Sequence, residues 1–171
     1  PEDNYMGDTV NAYEELSREG EGETIYGKGG GDIVENIREV VRKSGSNNLD
    51  LVLCLDTTKS MHDDMPHLKE SLIPMLEKEV AGFDRFRLGM VLYRDYYESY
   101  LTKPVPFSDD FTGVQRVLDT IRVYGGRDIP EAVHEALYTG ITSFDWLADE
   151  RLLLLIGDAP PHPRPRGRVT K

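Results

Sequence analysis

Leu51-Val-Leu-Cys-Leu-Asp-Thr-Thr-Lys-Ser-Met-His-Asp-Asp-Met65 is the stretch on which the reading of this chain turns. An apolar run, Leu51 to Leu55, stops at an acid, and hydroxyls follow at alternate positions: Asp56, Thr58 and Ser60. A second pair of acids, Asp63 and Asp64, comes next. Four to five consecutive apolar residues between polar ones predict a strand buried on both faces. In an open parallel sheet, ligands bind at the carboxyl ends of strands, which is where Asp56 falls. One carboxylate and two hydroxyls form an oxygen cluster suited to a hard cation such as Mg²⁺, Mn²⁺ or Ca²⁺. The same residues also suit a turn and a helix cap, so this stretch alone leaves both readings open.

Two later stretches repeat the form. Arg87-Leu-Gly-Met-Val-Leu-Tyr-Arg-Asp95 and Arg151-Leu-Leu-Leu-Leu-Ile-Gly-Asp158 are apolar runs that each end in an acid. Helical spacing separates them. Met65, Leu68, Leu72, Met75, Leu76 and Val80 share one face, with Pro66 tolerable in a first turn and Pro74 expected to kink the helix. Val114, Val117, Leu118 and Ile121 mark a helix over Phe111 to Val123. Tyr100 to Phe107 reads as an edge strand, because Pro104 and Pro106 cannot serve a central ladder. Strands and helices in alternation predict an α/β, Rossmann-like, mostly parallel sheet with an acidic carboxyl edge. Carboxylates crowded at one edge repel unless they are protonated or bridged by a cation. Tyr124-Gly-Gly-Arg-Asp-Ile-Pro-Glu131 opens a further helix through Leu137, and Asp128 with Glu131 has capping-box spacing.

Composition bounds the function. The 171 residues suffice for one domain with an arm, and 31 acids against 20 bases leave a net charge of −11. That balance argues against general nucleic-acid or anionic-membrane binding and favours cations or basic partners. Mean hydropathy is −0.47, and no apolar run approaches the ~20 residues that span a bilayer. Cys54 is the single cysteine, so there is no disulfide framework. Residues 1–31 are acidic and Gly-rich and read as an arm, with a short helix at Val10, Tyr13 and Leu16 and an extended piece at Glu23 to Tyr26. Residues 32–160 form the domain, its first strand starting near residue 50. It opens with a helix from Asp32 to Lys43, capped by Asp32 and Glu35, with Ile33, Ile37, Val40 and Val41 on one face. Residues 161–171 are a Pro/Arg-rich tail carrying Arg164, Arg166, Arg168 and Lys171.

Together these stretches resemble a von Willebrand factor type A domain. Asp56-x-Thr58-x-Ser60 is similar to that family's metal-ion-dependent adhesion motif, with Thr in place of the usual first Ser. Asp128 falls where the second loop's ligand is expected, and Asp158 matches the third loop's acid. The resemblance is greater to the I-like domain of integrin beta subunits, whose Asp-x-Ser-x-Ser-Met-x-Asp-Asp stretch implies a second ion, with Asp63 and Asp64 in its positions. Asp128-Ile-Pro-Glu131 resembles that family's Asp-x-Pro-Glu, whose Glu is a direct ligand of the central ion. Asp95 matches an acid of a third site that Asp128 and Glu131 would share, although Gly126 stands where that site has an Asn. The disulfide-closed specificity loop of the beta subunits is absent. The resemblance implies strand order 3-2-1-4-5-6, and the last two strands are missing from this chain. An exposed fourth strand would invite self-association.

The resemblance implies a protein-binding module with Mg²⁺ or Mn²⁺ at the central site and Ca²⁺ beside it. A partner's Asp or Glu carboxylate would complete the coordination, and extracytoplasmic placement is the preference. No membrane insertion and no catalysis are expected. The rival from another class is a Mg²⁺-dependent phosphotransferase with Asp56 as nucleophile. It resembles the haloacid-dehalogenase-like hydrolases, but Thr58 stands where those enzymes carry their second Asp. His62, His67 and His162 lie near the acids, and surface positions are expected for all three.

Overall fold

The computed structural model describes residues 7–126 and 130–163. Strand β1, Asn48–Asp56, is the centre of the sheet and is buried from Leu49 onward. It pairs in parallel with β2, Arg85–Tyr93, on one side and with β4, Glu150–Ile156, on the other. Strand β3, Thr102–Ser108, runs antiparallel to β2, and the order is β3-β2-β1-β4. Pro104 lies on this edge strand, as the missing N–H of proline requires.

The alternation of side chains along a strand sorts the core into two layers. Leu49, Leu51, Leu53 and Leu55 of β1 join Phe86, Leu88, Met90 and Leu92 of β2 on one face. Helices α2 (Gly30–Arg42), α3 (Met65–Glu79) and α4 (Phe111–Thr120) cover that face through residues such as Val34, Ile37, Leu68, Leu72, Leu76 and Leu118. Val52, Cys54, Val91 and Tyr93 point the other way and meet Val133 and Ala136 of α5, Val133–Thr142. Leu16 of α1, Gly7–Glu19, packs against this second layer. Each leucine of β1 taken fully out of water contributes about 2 kcal/mol. The fold is therefore α/β, mostly parallel, with helices on both faces. Among the described residues no helix is long and apolar enough to cross a membrane, and no strand lies beyond β4.

One charged residue lies inside the second layer. Asp50 is fully buried, and Arg87, its register partner on β2, donates Nε and a terminal nitrogen to its two oxygens at 2.7 Å each. The backbone N–H groups of Leu147 and Ala148 complete its shell. Burial alone would push this carboxyl up, but the guanidinium and the two amides hold it at about 2. The pair ties β1, β2 and the approach to β4 together.

Several local expectations need correction. Helix α2 starts at Gly30, so Asp32 lies inside its first turn and accepts the Lys28 N–H at 2.8 Å, while Glu35 pairs with Arg38. No reciprocal capping box forms there. Val34, not Val40, is the buried member of that face. Helix α3 is continuous through Pro74. Helix α4 ends at Thr120, with Ile121 already extended. Helix α5 begins at Val133, two residues beyond Glu131, so Glu131 does not sit in its first turn as a capping residue. Residues 23–26 form no strand.

Candidate functional site

The β1 strand ends by delivering Asp56, with Thr57 and Thr58, into a fully buried position at the carboxyl edge of the sheet. The chain then turns through a short 3-10 segment, Lys59–His62, that leaves Ser60 exposed. Asp56 Oδ1 accepts the Thr58 N–H and lies 2.7 Å from Thr58 Oγ1. Thr58 Oγ1 is 3.0 Å from Ser60 Oγ, which is 2.8 Å from Oδ1 of Asp158, just past the end of β4. Four side chains that the sequence placed in one cluster thus form a continuous run of oxygens.

The proton count of this run is informative. Three oxygen–oxygen contacts join two carboxylates through two hydroxyls, and two hydroxyls carry only two protons. One contact therefore lacks a hydrogen while both acids are ionised. Asp56 Oδ2 is also buried with no hydrogen-bond partner. Burial pushes the Asp56 carboxyl up to about 6; its hydrogen bonds from Thr58 oppose the shift, and the Asp158 charge adds to it. Either a proton or a cation relieves this arrangement. A hard cation fits an oxygen-only donor set, takes the orphaned carboxylate oxygen and replaces the missing attraction. Asp56 and Thr58 are enclosed, whereas Ser60 and Asp158 face solvent, so the cluster is open on one side.

Glu131 approaches the same cluster from the segment before α5. Its N–H donates to the Pro160 carbonyl, its own carbonyl accepts the His162 N–H, and the Ala132 N–H donates to the Arg94 carbonyl. The segment is thereby stapled between the ends of β2 and β4. Gly126, with φ of +75°, lies between Thr58 and Glu131; a Cβ there would meet Glu131 Oε1 at 3.3 Å and Thr58 Cβ at 3.4 Å. Glu131 is thus buried beside Thr58. Asp128 lies outside the described residues.

The remaining predicted ligands do not gather into further clusters. Among the described residues, no three His, Cys, Asp or Glu side chains converge as an ion-binding group. Asp63 is exposed. Asp64 sits at the start of α2, where its carboxylate accepts the Gly30 N–H; burial raises its pKa, with Asp158 adding to the rise. Asp95 is buried, and its Oδ1 lies 2.6 Å from Nε2 of His162. His162 is buried too, against the edge of the Tyr96 ring, which corrects the expectation of a surface histidine. His62 and His67 are exposed.

Three contributors were missed. Arg94 is buried and donates to Thr57 Oγ1, Ser99 Oγ and the Arg122 carbonyl while its guanidinium lies over the Tyr100 ring, so it fixes the residue between Asp56 and Thr58. Tyr93 and Tyr13 bring their hydroxyls to Gly157 beside Asp56. The only signal for Arg94 was a lone cation beside an acid at a strand end. Tyr13 lies 43 positions before Asp56, and no pattern joins them.

Comparison with known proteins adds little. No family model matches the chain. Over 120 residues, 70% of this chain, it is 26% identical to a putative ariadne-like RING finger protein of Acanthamoeba polyphaga mimivirus. The chain spans 12% of that relative's length.

Proposed function

We propose that the chain is a divalent-cation-dependent binding module. Asp56, Thr58, Ser60 and Asp158 hold Mg²⁺ or Mn²⁺ there, with Glu131 beside them, and a partner's Asp or Glu carboxylate takes the open position. The observation that carries this reading is the oxygen run that is one proton short and includes a buried carboxylate oxygen without a partner. Two neutral hydroxyls among the ligands leave the ion with residual positive charge, which draws an anionic group to the exposed side. No second ion belongs to the proposal, because Asp64 is engaged by the start of α2 and Asp95 by His162. The RING description of the viral relative is not carried over, since one cysteine cannot build a multi-cysteine zinc site.

The reading gives Asp56 no catalytic role, and turnover of an aryl phosphate that disappears in Asp56→Asn would overturn it. The direct test is water-proton relaxation with Mn²⁺. Bound Mn²⁺ with an open position enhances the relaxation, and an Asp- or Glu-containing peptide should reduce the enhancement where its Asn or Gln counterpart does not. No effect from acidic peptides at millimolar concentration sinks the partner-carboxylate claim.

A further inference from the structure

Resting on the cation reading above, we infer that Tyr13 of α1 is a positioning residue for the site, its hydroxyl donating to the second oxygen of Asp56 directly or through one water. The inference starts from two orphans. The Tyr13 hydroxyl and Asp56 Oδ2 are both buried, and neither has a hydrogen-bond partner of good geometry. One is a donor and the other an acceptor. They lie around the same small volume: the space where Gly157 lacks a Cβ is 2.8 Å from the Tyr13 hydroxyl, 2.3 Å from that of Tyr93 and 3.4 Å from Asp56 Cβ. Tyr93 directs its own hydroxyl to the Ile156 carbonyl at 3.3 Å. Burial raises the Tyr13 phenol, Tyr93 opposes that, and the charges of Asp56, Asp158 and Glu131 add to the rise, so the phenol keeps its proton and remains a donor.

A tyrosine that only filled space would do better as phenylalanine, because a buried hydroxyl without a partner is unfavourable. Carboxylates that ligate ions are, in turn, held by outer-shell hydrogen bonds, whose loss lowers affinity about 10- to 100-fold. Tyr13 supplies that bond from a helix far away in sequence, so docking of α1 through Leu16 sets the affinity of the site.

The test is Mn²⁺ binding to the whole chain, followed by the loss of the free-ion electron paramagnetic resonance signal, in the parent, Tyr13→Phe and Leu16→Ala. Tyr13→Phe should weaken Mn²⁺ binding at least 10-fold while its melting temperature in EDTA stays at or above the parent's. Leu16→Ala loosens α1 but keeps the hydroxyl, so it should lose less. Unchanged affinity in Tyr13→Phe, or equal losses in the two variants, overturns the inference. A parent that binds no Mn²⁺ would instead overturn the cation reading itself.

Discussion

Replacing Asp56 by Asn should stabilise the metal-free protein and abolish its response to metal. The Asn side chain keeps the size of Asp and an Oδ1 to accept the Thr58 N–H, but it carries no charge into a fully buried position. The folded-state pKa of Asp56 is about 6 against an ordinary 3.8. A carboxyl raised in this way contributes stability that is complete below pH 3.8 and is lost as pH rises through 6. The difference of roughly two units corresponds to about 3 kcal/mol at pH 7.5, at 1.36 kcal/mol per unit. In EDTA the parent should therefore gain stability as pH falls from 7.5 to 5, and Asp56→Asn should exceed the parent at pH 7.5 by up to that amount. For a domain of this size the gain is a rise of about 6–12 °C in melting temperature. Asp64 is shifted in the same direction, so a small slope should persist in the variant. With Mg²⁺ at ~100 times its Kd the parent gains ~2.7 kcal/mol, and the ranking closes or reverses. Urea denaturation followed by circular dichroism at pH 5, 6 and 7.5, with and without Mg²⁺, measures all of this. An Asp56→Asn variant less stable than the parent in EDTA at pH 7.5 would refute the reasoning.

Two further substitutions separate scaffold from site. Arg87→Met should cost about 3–5 kcal/mol, because it leaves Asp50 charged and buried without its guanidinium; urea midpoints measure this, and the rise in stability on adding Mg²⁺ should survive. Gly157→Ala puts a methyl 2.3 Å from the Tyr93 hydroxyl and 2.8 Å from that of Tyr13. Overpacking of about 1–3 kcal/mol and a loss of Mn²⁺ affinity should appear together, whereas full affinity in a destabilised Gly157→Ala would detach that corner from the cation site.

The fold was legible in the sequence because each central strand is an uninterrupted apolar run. Leu51 to Leu55 needs cover on both faces, and only a central strand with helices above and below provides it. The edge position of β3 was legible from Pro104 and Pro106. Asp56, Thr58, Ser60 and Asp158 were legible as a group because each lies at or just past the end of such a run, and the sheet brings strand ends together. Helix starts were less so: Asp32 and Glu35 satisfy capping spacing, but Gly29 and Gly30 let the chain enter the helix two residues earlier, where Asp64 meets the Gly30 N–H. The partners that hold the site were hidden for a different reason. Tyr13, Arg94 and His162 act through tertiary contacts with residues tens of positions away, and nothing in their local sequence distinguishes a buried tyrosine, arginine or histidine from an exposed one.

The central claim is that a divalent cation occupies the Asp56–Thr58–Ser60–Asp158 cluster of the native protein. Thermal melting in EDTA, then in Mg²⁺, Mn²⁺ and Ca²⁺ separately, tests it most directly when the parent is compared with Ser60→Ala. Ser60 is exposed, so its loss removes a ligand without disturbing the core. The parent should melt about 5–10 °C higher with ion at ~100 times its Kd, and Ser60→Ala should lose most of that rise at the same concentration. A parent indifferent to all three ions, or a Ser60→Ala variant that responds as the parent does, would contradict the claim.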